Sequence, residues 1–131
     1  MIETAARYLN PTTVDDRASG GVACALVTDG GEVFCGVCID VPCGMGFCAE
    51  HTAAAAMVTA GQSRIARIVA VAREDATGAL MVLPPCGRCR EFLYQLDRRN
   101  LAAEVVLSAD TVATLAELLP TRDPRPVATV L

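Results

Sequence analysis

The chain has 131 residues, enough for one domain whose core needs neither disulfides nor a structural metal. Hydrophobic residues make up 53% and charged residues 20%, which excludes a disordered chain. The formal charge of −4 argues against nucleic acid as a partner, because phosphate backbones repel such a surface.

In chain order, residues 3–9 (ETAARYL) predict a short helix that Asn10-Pro11 ends. Residues 11–20 are polar and read as irregular. Residues 22–28 predict a buried strand, Asp29-Gly30-Gly31 a turn, and residues 32–41 a second strand of the same hairpin. A loop follows at 42–46. From 48 to 60 the run CAEHTAAAAMVTA predicts a helix, because alanine is the best helix former and most faces are apolar. Gly61 suits its C-terminal end. Residues 65–72 predict a buried strand, and 80–83 a short extended piece broken by Pro84-Pro85. Phe92, Leu93 and Leu96 fall at helical spacing within 86–99. Residues 104–108 predict a strand, 111–119 a helix and 120–126 an irregular tail. A hairpin followed by βαβ units implies a mixed sheet layered with helices, an α/β fold.

The N-terminal residues Met1-Ile2-Glu3-Thr4 lack the basic and apolar regions of a signal peptide. No apolar run reaches the roughly 18 residues that span a bilayer. Both features predict a cytoplasmic chain with no membrane partner, whose thiols stay reduced. Its seven cysteines, at 24, 35, 38, 43, 48, 86 and 89, then serve metal binding, catalysis or packing.

The sharpest pattern is Cys48-Ala49-Glu50 together with Pro85-Cys86-Gly87-Arg88-Cys89-Arg90. Zinc takes thiolates tetrahedrally, and a catalytic zinc keeps one position for water, so three cysteines and a water fit. Each cysteine group sits at a predicted helix start, where partial positive charge and free N–H groups favour thiolates. Glu50, two residues after Cys48, can reach water at the metal without ligating it, which suits a general base that later acts as acid. The zinc deaminase signature joins such a Glu to P-C-x-x-C, with a three-cysteine ligand set as one form. A rival pairing, Cys35-x-x-Cys38 with Cys86-x-x-Cys89, is weakened because 35 and 38 face opposite sides of a strand. Cys24 and Cys35 read as core residues.

On these residues the chain resembles the cytidine deaminase superfamily, in the small branch of cytidine and blasticidin-S deaminases. The markers are Ala25-Leu26, Asp29-Gly30, Gly36, CAEHTA (48–53), IVAV (68–71), PCGRCRE (85–91) and ELLP (117–120). The resemblance runs from about residue 3 to 119 within a single domain, 1–131. It implies a three-layer α/β/α fold with about five strands, in a homotetramer. It implies zinc on Cys48, Cys86 and Cys89, and proton transfer by Glu50. It also implies that the Ala49 N–H binds the pyrimidine carbonyl and that the Pro84 C=O binds the leaving amine.

The chain also departs from that branch. The ribose-reading Asn and Glu correspond to Cys38 and Asp40, which share a strand face but read hydroxyls differently. Aromatic residues are missing near Gly20 and within 120–126. Three thiolates and Zn²⁺ sum to −1, a charge that Arg88, Arg90 and the helix starts can offset. His51, the only histidine, replaces the usual Arg and is read with Arg90 as support behind the ligands. The sequence therefore predicts a zinc-dependent deaminase of a small aminopyrimidine nucleoside or analogue. The alternatives are another aminated heterocycle as substrate, or a non-catalytic protein folded around zinc.

Overall fold

A computed structural model describes residues 1–122. Its centre is a seven-stranded mixed sheet. The strands are β1 (Thr12–Val14), β2 (Arg17–Thr28), β3 (Val33–Asp40), β4 (Ile65–Arg73), β5 (Leu80–Leu83), β6 (Glu104–Val106) and β7 (Val112–Thr114). The main path runs β1-β2-β4-β6-β7, with β3 also paired to β2 and β5 to β4. Among the described strands, only β4 and β6 pair in parallel. The expected sheet of about five strands matches this main path, and β3 and β5 add to it.

Burial on both faces explains the composition of the central strands. Cys24 and Leu26 of β2 and Ile68 and Ala70 of β4 face one side. Ala23, Ala25, Val69 and Val71 face the other. Helices α2 (Ala49–Thr59), α3 (Gly87–Leu96) and α4 (Leu115–Leu118) cover the first face, through Ala53, Met57, Leu93 and Leu115. The single short helix α1 (Ile2–Ala6) covers the second through Ala5. The fold is thus three-layered, with one thin layer.

Alanine lets α2 lie close on the sheet. A Cβ added at Gly36 of β3 would stand 2.4 Å from the Ala53 nitrogen and 2.6 Å from the Thr52 Cβ. The Thr52 hydroxyl donates to the Val37 carbonyl at 2.8 Å, which fixes this register. The start of α2 is thereby held against the strand that carries Cys38 and Asp40.

Four predicted elements differ from the structure. The first helix stops at Ala6 rather than 9. The polar stretch 11–20 holds β1 and the start of β2, paired as Thr12 to Ser19 and Val14 to Arg17. β1 is exposed along its whole length, so it shows no apolar alternation. The helix of 86–99 ends at Leu96, because Asp97 is extended and accepts the Arg99 N–H to start a 3-10 turn, Arg98–Ala102. Buried Asn100 anchors that turn, accepting from the Ile65 N–H and donating to the Ser63 and Leu93 carbonyls. The helix of 111–119 is β7 followed by α4, because 112–114 pair with β6 and Thr114 with Glu117 forms a capping box. Of the irregular tail 120–126, residues 123–126 lie outside the described residues. No helix among the described residues is long and apolar enough to cross a membrane.

Candidate active site

Cys48 and Cys86 are the N-cap residues of α2 and α3, both extended just before the helix begins. Cys89 lies one turn into α3 and is fully buried. The Cys89 N–H donates to the Cys86 sulfur at 3.4 Å, as an N-cap side chain accepts from its helix. The two helix starts converge: the Cys86 Sγ lies 3.7 Å from the Cys48 Sγ and 3.4 Å from the Cys89 Sγ.

The thiols differ in acidity. Burial raises Cys86, but the Cys89 N–H, neighbouring thiols and the Arg88 N–H outweigh it and hold this thiol below its ordinary value. Burial raises Cys48, with further contributions from Cys86 and Glu50. Burial, the Glu50 charge and the neighbouring thiols push Cys89 up strongly. Glu50, in the first turn of α2, is 5% exposed, and burial raises its carboxyl above the usual range.

Three of these groups, Cys48, Cys86 and Glu50, line a cavity of about 310 Å³. Ala49, Cys38, Asp40, Phe47 and Pro84 line it as well. Ala49 is the first residue of α2, so its N–H has no intrahelical acceptor. Cys38 is buried, and its sulfur accepts the Val22 N–H at 3.3 Å.

His51 lies beside the sulfurs and does not line this cavity. Its Nδ1 is 3.5 Å from the Cys89 Sγ, and its ring stacks on Phe92 at 4.1 Å between centroids. Burial and the charge of Arg88 lower its pKa. The donor atoms of Cys48, His51 and Cys89 lie within 4.8 Å of one another. His51 lines a separate cleft with Arg88, Glu91, Phe92 and Gln95.

The arginines are engaged elsewhere. The Arg90 Nε donates to the Pro85 carbonyl at 2.8 Å, and its Nη1 donates to the Leu118 carbonyl at 3.2 Å. Arg88 donates to the Gly46 carbonyl at 3.3 Å.

A sequence model of the cytidine and deoxycytidylate deaminase zinc-binding region matches residues 4–105. The chain belongs to that family. Among solved structures it is similar to the cytidine deaminase from Burkholderia pseudomallei, at 28% identity and a TM-score of 0.71, covering 93% of this chain and 95% of that one. It is also similar to the cytidine deaminase from Mycobacterium leprae, at 25% identity and 0.72, covering 92% and 95%. The cytidine deaminase from Mycobacterium tuberculosis matches at 25% and 0.70, over 92% and 91%.

The donor set fits the zinc of this deaminase family. Zinc with sulfur bonds of about 2.3 Å separates tetrahedral sulfurs by about 3.8 Å. The sulfur separations of 3.7 and 3.4 Å are close to that edge. Cys35 and Cys38 pack on opposite faces of the sheet, so they do not form a ribbon-type pair.

The sequence reading missed Phe47 and Val22 as cavity residues. Phe47 adjoins Cys48, and that adjacency was the available signal.

Proposed function

We propose that the protein is a hydrolytic deaminase of an aminopyrimidine nucleoside or analogue, of the cytidine or blasticidin-S type. Cys48, Cys86 and Cys89 hold zinc in this reading, and His51 donates a hydrogen bond to the Cys89 sulfur. Zinc bound there supplies a Lewis acid that makes water nucleophilic near neutral pH. Glu50 takes a proton from the attacking water and delivers protons to the ring nitrogen and the departing amine. The C–N bond breaks, a C=O forms, and ammonia leaves. The Ala49 N–H binds the ring carbonyl and the Pro84 C=O receives the leaving amine. Arg90, tied to the Pro85 carbonyl, steadies the loop that presents Pro84 and Cys86.

The observation that carries this reading is the convergence of three thiols at two helix starts, with Cys48, Cys86 and buried Glu50 lining one cavity. A non-catalytic zinc protein needs no buried Glu50 there. The family resemblance further supports a homotetramer in the cytoplasm acting on small molecules, and the mass of the protein in solution checks the assembly. The test of function is ammonia release by the zinc-loaded protein from cytidine, deoxycytidine, cytosine, blasticidin S and other aminated heterocycles. Turnover of a cytosine compound is expected. Zinc binding with no turnover of any would favour the non-catalytic alternative.

A further inference from the structure

The loop between β5 and α3 carries two consecutive prolines, Pro84 and Pro85, just before Cys86. Proline has no N–H, so neither residue can tie the loop down by donating a backbone hydrogen bond. Its carbonyls can only be held by donors from elsewhere. The first N–H groups of α3 are spent on Cys86: the Cys89 N–H on its sulfur, the Arg90 N–H on its carbonyl. The carbonyl of buried Pro85 is held by a side chain instead, accepting from the Arg90 Nε at 2.8 Å.

The other end of that side chain is fixed to α4. The Arg90 Nη1 donates to the Leu118 carbonyl at 3.2 Å. Leu118 ends α4, where the last carbonyls have no intrahelical donor. α4 is short but firmly anchored. Thr114 and Glu117 close a capping box at its start, and buried Leu115 donates its N–H to the Ala103 carbonyl at 3.0 Å. β7, directly before it, pairs with β6. A continuous set of contacts thus runs from the sheet through α4 and Arg90 to the Pro84-Pro85 loop. No residue of α4 lines the cavity.

Both acceptors of Arg90 are neutral carbonyls, and it forms no ion pair among the described residues. Its guanidinium supplies a rigid fork that spans two oxygens at once, which a lysine ammonium of the same charge lacks. We infer that Arg90 is a positioning residue through which α4 sets the place of the Pro84 carbonyl and the Cys86 sulfur. The inference rests on the deaminase reading for what the loop does, since there the Pro84 C=O receives the leaving amine. It goes beyond that reading in making a helix outside the cavity part of the catalytic device.

The test uses the full chain, zinc-loaded, as Arg90→Lys, Arg90→Met, Thr114→Ala and the double variant Arg90→Met with Thr114→Ala. On the cytosine compound that the native protein turns over, both Arg90 variants should lose kcat alike, about tenfold. KM should stay within about twofold, because the contact to the departing amine develops after the substrate has bound. Thr114→Ala removes the cap of α4 and should lower kcat about threefold. In the Arg90→Met background the same change should have no further effect, since the cap acts through Arg90. Zinc affinity, by competition with a chelator, should follow the same pattern and needs no turnover. Native kcat in Arg90→Lys would overturn the inference, because charge rather than the fork would then be what matters. So would a Thr114→Ala effect of equal size with and without Arg90, which would make the cap a matter of general stability. The expected pattern in zinc affinity, in a protein that turns over no cytosine compound, would support the positioning and count against deamination. Turnover in the native protein with none of the expected losses would do the reverse.

Discussion

The metal site and the rest of the cavity wall are built differently. At the metal site, Cys48, Cys86 and Cys89 are fixed by two helix starts, and buried Glu50 follows in the first turn of α2. Elsewhere in the cavity wall, Asp40 and Phe47 sit on a strand end and a loop, and both are exposed. In the proposed function the buried groups carry the chemistry, where small displacements cost large factors in rate. An exposed contact is worth little, so a change there should alter preference rather than reaction type.

Substitutions in the two parts should therefore differ in kind. Cys89→Ala should have the largest effect, removing a buried ligand, with loss of bound zinc by metal analysis and loss of turnover. Zinc retained at full occupancy would mean that His51 or another group completes the site.

Gly36→Val attacks the contact that joins the two parts. Its side chain would meet the α2 backbone, so overpacking should cost about 1–3 kcal/mol. A lower Tm together with weaker zinc binding is expected, because α2 carries Cys48 at its start. A lower Tm with unchanged zinc affinity would show that the two helix starts hold the metal without help from β3.

Asp97 is a control remote from both parts. Arg99 holds its carboxyl well below the usual carboxylate range, with help from the Ser63 hydroxyl. A lowered carboxyl binds fewer protons folded than unfolded, so its contribution is present above the unfolded pKa of about 4 and is lost as the pH falls. The stability gap between the native protein and Asp97→Asn should narrow on acidification below about pH 5, followed by denaturant unfolding. Turnover at neutral pH should stay the same. A gap independent of pH would deny the ion pair its role.

The metal site was legible in the sequence because helix starts and ligand spacing are local: C-x-E and P-C-x-x-C each lie within a few residues. The buried strands and α2 were legible for the same reason. The rest of the wall was legible only in part. Cys38 and Asp40 share a strand face, but that Cys38 spends its sulfur on Val22 depends on the pairing across β2. Phe47 enters the cavity wall only because Gly46 lets the loop fold onto β3. β1 and β7 escaped because their residues are mostly exposed and carry no burial pattern. The nearness of His51 to Cys89 was not legible, because it requires the packing of α2 against α3.

The most direct measurement is ammonia release by zinc-loaded Glu50→Gln beside the native protein, with zinc content measured in both. Zinc equal in the two, with turnover of the same substrate lower in the variant by about 10²–10⁴, is the expected result for a general acid–base group. Turnover at the native rate with full zinc would contradict the assignment of the buried carboxyl and the account of the cavity built around it.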